Sequence, residues 1–160
     1  MTIYGSMFDS ATEDFPATSK LNALYYNGLY ARKPYSVGPG RVWIDVSGTA
    51  PGQCSILQID GSSAQVTTLI GGARAWLEKR NPIGPGCIYV NRSTLPRIQA
   101  ELHGLPYDVW LSTLDGTIPG ALATPGGHLI AVQAWPAPRQ GHHADESAVV
   151  DEAYWKLHAR

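Results

Sequence analysis

Five polar side chains that can act on a substrate stand at the ends of apolar, strand-like segments. They are Asp9, Asp45, Asp60, Asn91 and Gln133. Paired carboxylates at one cleft suit glycoside hydrolysis, in which one acid protonates the leaving oxygen and another group stabilises the sugar cation or activates a nucleophile. Each acid also has an ordinary alternative role, because Asp is a common turn and cap residue. Asp60, which precedes Gly-Ser-Ser, is equally suited to cap a helix.

Three aromatic residues are candidates for walls that stack on a sugar ring, namely Tyr89, Trp110 and Trp135. The alternative is that they belong to an ordinary core, because large aromatic side chains also dominate hydrophobic cores. This alternative is strongest for Tyr89, which lies in the middle of its predicted strand.

Seven segments have the features of strands. Each is short, rich in β-branched or aromatic residues, and bounded by Gly, Pro, Ser or Asp. They span residues 2–9, 22–28, 41–48, 54–60, 86–91, 107–113 and 128–135. Several are apolar on both faces, which is typical of parallel strands that are covered on both sides.

Two helices are predicted between these strands, and a third is predicted at the end of the chain. The first is capped by Ser62 or Ser63, and its apolar residues recur at helical spacing. The second begins near Thr94, has Pro96 in its first turn and ends at Gly104. The third is a weaker helix over residues 147–157.

The alternation of strand and helix in the middle of the chain predicts right-handed parallel crossovers. The first half leaves little room for helices between its strands. We therefore predict a single α/β domain over residues 1–160, a TIM-like (β/α) barrel that is shortened and lacks several outer helices. In parallel barrels the reactive groups gather at the carboxyl ends of the strands, so the polar residues above are expected to meet at one mouth.

Composition excludes several classes of function. Hydrophobic residues make up 44% of the chain and charged residues 16%, with a net charge of −1. These values argue against a disordered chain and against a nucleic-acid binder. No apolar stretch is long enough to span a bilayer, and the first residues lack the features of a signal peptide. We therefore expect synthesis in the cytoplasm, with release on lysis or association with a virion as further possibilities, and no cofactor.

The two cysteines, Cys54 and Cys87, do not form a C-x-x-C pair, so a zinc site built on them is not expected. We predict that both are buried free thiols, and a disulfide between neighbouring strands is the alternative.

Two predicted loops raise further questions. The stretch RQGHHADES contains His142, His143, Asp145 and Glu146, which are metal-ligand types. Adjacent histidines rarely bind one ion, so we predict a polar loop and no metal. The long loop 114–127 has few charges and is a candidate lid or partner surface.

The order of motifs resembles the lysozyme-like glycoside hydrolase family 25 superfamily, and more closely the short glycoside-hydrolase-like proteins of actinobacteria and their phages. The motifs span nearly the whole chain: MFDS, YYNGLYA, ILQID, IYVNRST, VWLST, AVQAW and ADESAVVDEAYW. The resemblance implies a cell-wall glycan such as peptidoglycan as the partner.

Family members that cleave peptidoglycan carry an Asp-x-Glu whose Glu donates the proton. The matching triplet here is Gln58-Ile59-Asp60, so Gln replaces the Asp and Asp replaces the Glu. The shorter Asp60 carboxyl is set back by about one C–C bond, and a misplacement of about 1 Å can cost a hundredfold in rate. The neutral Gln58 cannot hold a proton on its neighbour by charge repulsion.

The remaining family positions are retained. Asp9 matches the Asp of the first strand, Asp145 matches the Asp that precedes the final helix, and Asn91 and Gln133 are unchanged. The resemblance therefore implies a glycosidase-like domain with Asp60, Asp9 and Asp145 as catalytic groups. The glycan would be held by a larger set of residues: Asn91, Gln133, Trp135, Tyr89, Trp110, Asp45 and Gln58.

Two alternatives to an active enzyme stay open. The chain is either a catalytically inactive relative, which binds glycan or serves as a structural piece of a phage particle or cell envelope, or an assembly protein without affinity for glycan. Saccharide binding without product formation would favour the first of these alternatives.

Overall fold

The computed structural model describes residues 1–10, 15–31, 40–119, 127–135 and 144–159. Eight strands form a closed barrel in chain order. They are β1 Gly5–Asp9, β2 Asn22–Tyr25, β3 Arg41–Asp45, β4 Ile56–Ile59, β5 Cys87–Asn91, β6 Asp108–Ser112, β7 Leu129–Trp135 and β8 Asp145–Val149. The described helices are α1 Ser63–Arg80, α2 Leu95–Glu101 and α3 Glu152–His158.

The predicted α/β, TIM-like barrel is wrong. The protein is a closed, mixed β-barrel that is mostly sheet, and only three helices accompany the eight strands in the described part of the chain. Strands β1 to β7 all run parallel to one another. Strand β8 closes the ring and runs antiparallel to both β7 and β1. An antiparallel pair of strands, unlike a parallel pair, needs no crossover helix.

The error in the sequence prediction lies in the segment that forms β8. Residues 147–157 were expected to be one helix, and Asp145 was expected in a polar loop. Instead, residues 145–149 form a strand that pairs with β1 along its whole length, and the helix begins only at Glu152. Leu157, the last residue of the predicted helix, is 66% exposed.

The other elements agree with the sequence. All seven predicted strands are present, each within or close to its predicted range, and β4-α1-β5-α2-β6 forms the expected parallel crossovers. Ser62 caps α1 in a capping box with Gln65, whose side chain reaches back to the Ser62 N–H. The prediction of free thiols is confirmed, because Cys54 and Cys87 are both buried and unbonded.

The hydrophobic core has two parts, which the alternation of side chains along each strand separates. The outer part lies between the sheet and helices α1 and α2 and includes Leu57, Ile59 and Trp76. The inner part fills the barrel and includes Met7 and Ile56. A polar residue at a strand end therefore reaches the barrel interior only if it shares the parity of the inner set.

The barrel is plugged at the amino-terminal end of β1 by α3. A Cβ atom added at Gly5 would overlap the indole ring of Trp155, so this position requires glycine for close approach. We expect Gly5→Ala to lower the free energy of unfolding by about 1–3 kcal/mol, as overpacking of a filled core does. Urea denaturation measures this change. Gly71→Ala is the control, because Gly71 is exposed on α1 with open space around it. This substitution should stabilise the protein, since alanine favours the helix over glycine.

None of the described helices has both the length and the apolar character that crossing a bilayer demands.

Candidate functional site at the mouth of the barrel

Asp9 and Asp145 face each other directly across the pair β1–β8. Asp9 ends β1, Asp145 begins the antiparallel β8, and the two are register partners. Asp9 alternates with the interior residue Met7, and Asp145 shares parity with the interior residue Val149. Directly opposed residues place their Cβ atoms about 4.5–5.5 Å apart. The two carboxyl groups therefore lie side by side at the carboxyl ends of the parallel strands.

The surroundings of Asp9 favour its protonated form. It is 3% exposed, its Oδ1 accepts a hydrogen bond of 3.1 Å from the Tyr25 hydroxyl, and its Oδ2 has no hydrogen-bond partner. Burial, followed by the negative charge of Asp145, raises the pKa of Asp9 to about 8, against the lowering effect of the Tyr25 hydrogen bond. A buried carboxylic acid of this kind can donate a hydrogen bond or a proton.

Tyr25 is the residue around which the three acids gather. Burial raises the pKa of its hydroxyl well above the ordinary value, and the charges of Asp9, Asp145 and Asp60 each add to that rise. Asp60, directly after β4, has the parity of Ile56 and Gln58 and is exposed at the mouth. The structure thus brings together the three acids named from the sequence. Tyr25 itself was missed, although its alternation with Leu21 and Ala23 marks it as interior.

Gln58 lies one interior position below Asp60 on β4. Its side chain is partly buried, and its Oε1 accepts no hydrogen bond. It is the register partner of Tyr89 on β5. The mouth therefore presents two buried oxygen atoms, Asp9 Oδ2 and Gln58 Oε1, that have no partner within the protein.

Tyr89 and Trp110 form the floor beneath this mouth. The Tyr89 hydroxyl donates to Gln133 Oε1, and the Tyr89 ring stacks on Trp110 with ring centroids 4.2 Å apart. The Trp110 indole donates a 2.9 Å hydrogen bond to Ser147 Oγ and is 0% exposed. Trp110 therefore supports the site from below and does not form an open wall. Trp135 ends β7, and its side chain lies outside the described part.

A small cavity of about 110 Å³ opens beside Asp60. Its lining mixes apolar and polar residues: Ile59, Asp60, Tyr89, Val90, Asn91, Ser112 and Leu114. Asn91 Oδ1 accepts hydrogen bonds from Ser93 Oγ at 2.8 Å and from the Thr94 N–H at 2.9 Å, which orders the turn into α2. These contacts fix the Asn91 amide at the cavity wall.

Asp45 is not part of the mouth. Val42 and Ile44 belong to the inner core, so Asp45 has the opposite parity and lies beneath α1, where its Oδ2 accepts a 2.9 Å hydrogen bond from Trp76 Nε1. Burial alone would raise its pKa, but hydrogen bonds, led by that from Asn27, lower the pKa below its ordinary value. Asp45 therefore has a structural environment, and its two oxygens are already used.

The structure describes only part of the stretch that contains the metal-ligand residue types. Asp145 and Glu146 are the first residues of β8, while His142 and His143 lie outside the described residues, as do residues 120–126 of the loop 114–127. Within the described ranges, no group of three His, Cys, Asp or Glu side chains is placed to hold a metal ion.

Comparison of the chain with protein-family models, with curated proteins and with solved structures finds no match.

Proposed function

We propose that the mouth of the barrel binds peptidoglycan or a related N-acetylated cell-wall glycan, and that the domain is a glycoside-hydrolase-like protein with weakened catalytic groups. The observation that carries the proposal is the convergence of Asp9, Asp60 and Asp145 around Tyr25. Acids from three distant parts of the chain at one mouth are what glycoside hydrolysis uses. The resemblance to lysozyme-like glycoside hydrolases supports the same substrate class.

The unpartnered atoms at the mouth support a ligand rich in hydrogen-bond donors. Gln58 Oε1 has no partner and is able to accept a hydrogen bond, and a protonated Asp9 is able to donate one from its unpartnered oxygen. Leaving such groups buried without partners costs free energy, and sugar hydroxyl and amide N–H groups would supply the missing hydrogen bonds.

The small cavity supports an N-substituted sugar. At about 110 Å³ it is well below the usual 300–1,000 Å³ of a site that encloses a whole small molecule. It has the size of a substituent, and its mix of Ile59, Val90 and Leu114 with the Asn91 amide and the Ser112 hydroxyl matches the methyl and the polar atoms of an acetamido group.

Asp60 is the proposed proton donor. It occupies the family's donor position, borders the small cavity and is exposed at the mouth, but it is one methylene shorter than Glu. We therefore expect slow hydrolysis of chitin oligomers or muropeptides, and Asp60→Asn should abolish it. Mass spectrometry of the products measures this loss. Glu78→Gln on the exposed face of α1 is the control, because it removes one carboxylate outside the mouth.

The double variant Gln58→Asp, Asp60→Glu restores the family triplet and is expected to raise the rate by about a hundredfold, since it moves the acid forward by one C–C bond. Turnover that is unchanged in Asp60→Asn would contradict the role of Asp60.

The second candidate function is glycan binding without catalysis, in a phage particle or cell envelope. The neutral Gln58 beside Asp60 favours it, because the site keeps hydrogen-bonding groups while it loses a charge. Calorimetry that detects a chitin oligomer, with no products by mass spectrometry, would select this function. A chain that neither binds nor cleaves would be an assembly protein.

A further inference from the structure

A second and larger cavity lies at the opposite end of the barrel. Its volume is about 620 Å³, and it is lined where the parallel strands begin, by Cys87 of β5, Asp108 of β6 and His128 just before β7. Helix α3 contributes Tyr154 and His158. The volume falls within the range of sites that enclose small organic molecules. This lower cavity shares no lining residue with the small cavity at the mouth.

Two residues of the lower cavity carry buried polar atoms without partners. The Arg80 Nε and the Tyr154 hydroxyl have no hydrogen-bond partner, although both atoms are shielded from solvent. The Arg80 nitrogen is a donor only, and the hydroxyl is able to donate. Among the residues that the structure describes, Arg80 forms no salt bridge. Both atoms thus lack an acceptor, and a ligand oxygen would supply one.

His158 is a third polar residue that lines the lower cavity. The ring of His158 packs on that of Tyr154 with centroids 4.4 Å apart, and burial together with the charge of Arg80 lowers the His158 pKa. Arg80, Tyr154 and His158 therefore all contribute polar groups to the lining of the lower cavity.

The lower cavity also has apolar lining residues. Ile130 is buried beside it, whereas Ile83 and Leu157 are 62% and 66% exposed at its rim. Large apolar side chains at a cavity rim provide contact area for an apolar ligand body. The cavity thus offers both hydrogen-bond donors and apolar contact area, which suits an amphiphile.

The acids of the lower cavity limit the charge of that ligand. Asp108 Oδ1 accepts the His128 N–H at 3.1 Å, and Asp151 Oδ1 accepts the Tyr154 N–H at 2.7 Å. Two acids in the lining of one cavity disfavour a ligand with several negative charges, because each added charge is repelled.

We propose that the lower cavity binds a small amphiphilic monocarboxylate, with its carboxylate at Arg80 and Tyr154 and its aliphatic body against Ile83, Ile130 and Leu157. Arginine is suited to this role because its planar guanidinium pairs with a carboxylate through two parallel hydrogen bonds. The site is independent of the glycan site proposed at the mouth.

Isothermal titration calorimetry of the full chain with octanoate tests the proposal. We expect saturable one-to-one binding, and at least tenfold weaker binding of the uncharged octanol. Arg80→Gln should weaken octanoate binding at least tenfold. Lys79→Gln, which removes a positive charge at the adjacent exposed position of α1, should change it less than twofold.

Two further variants keep the test decisive if Arg80→Gln does not fold. Tyr154→Phe removes only the unpartnered hydroxyl, so it should fold normally and weaken octanoate binding severalfold. Ala153→Phe, at an exposed residue that lines the cavity, should fill the space and abolish binding.

Asp60→Asn at the mouth should leave octanoate binding unchanged, which separates this site from the glycan site. The proposal is overturned by no saturable binding at millimolar octanoate, by equal losses in Arg80→Gln and Lys79→Gln, or by full binding in Ala153→Phe.

Discussion

Asp9→Asn is expected to make the protein more stable at pH 7, by about 4 kcal/mol, and to flatten its pH dependence. The folded pKa of Asp9 is about 8, against an ordinary value of 3.8. Between these values the folded protein holds a proton that the unfolded chain has released. The stability that this group contributes is therefore complete below the unfolded pKa and is lost as the pH rises towards 8.

The amide of Asn at position 9 reproduces the protonated acid without the cost of holding its proton. Its oxygen can accept the Tyr25 hydrogen bond, and its N–H group replaces the acid O–H. Wild type should lose about 3 kcal/mol between pH 5 and pH 7 through this group, and the variant should not.

Urea denaturation of both proteins at pH 5 and pH 7 measures the difference. Asp115→Asn is the control, because it makes the same substitution at an exposed residue near the mouth. An equal loss of stability over this pH range in wild type and Asp9→Asn would show that Asp9 is ionised in the folded protein.

Asp45→Asn is expected to have the largest destabilising effect, on the order of 3–5 kcal/mol. Asp45 Oδ1 accepts N–H groups of Asn27 and Gly48, both at 2.8 Å, and Oδ2 accepts those of Ala50 at 2.7 Å and Trp76 at 2.9 Å. Both oxygens face only donors. An amide would turn its own N–H groups towards one of these pairs and leave buried donors unpaired.

The pH dependence of this effect has the opposite sign to that of Asp9. The hydrogen bonds lower the pKa of Asp45, so its stabilising contribution is present above the unfolded pKa and is lost as the pH falls through the folded pKa. The difference in the free energy of unfolding between wild type and Asp45→Asn should therefore be large at pH 7 and small in strong acid.

Urea midpoints at pH 7 and pH 3 measure the two differences, and Asp115→Asn should show a much smaller change at pH 7. If Asp45→Asn unfolds at the same urea concentration as wild type, the hydrogen-bond network around Asp45 tolerates an amide.

Local patterns in the sequence were sufficient to predict most helices and strands. They were not sufficient to predict how the last strand closes the barrel. The seven parallel strands and the first two helices follow from short apolar runs, caps and helical spacing. The prediction for the segment 145–149 was wrong because Val149, Ala153 and Leu157 also recur at helical spacing. Its pairing with β1, which is about 140 residues away in the chain, makes it a strand. Such pairing has no local signature.

The candidate site shows the same division. Strand ends identified Asp9 and Asp60, and the resemblance identified Asp145, although it placed that residue before a helix. Asp45 was grouped with them because only its position at a strand end was considered. The alternation of Val42 and Ile44 with Trp43 and Asp45 was the available signal, and it points Asp45 away from the interior.

The closed ring also determines how copies of this protein can meet. An open sheet presents a row of unpaired N–H and C=O groups that recruits strands from other chains. Here β8 pairs with β1 on one side and with β7 on the other, so each of the eight strands has two neighbours. Self-association by backbone pairing would first require one pair of strands to open, and opening between β8 and β1 would separate Asp145 from Asp9. The same strand therefore protects the protein from sheet-driven aggregation and completes the group of acids at the mouth.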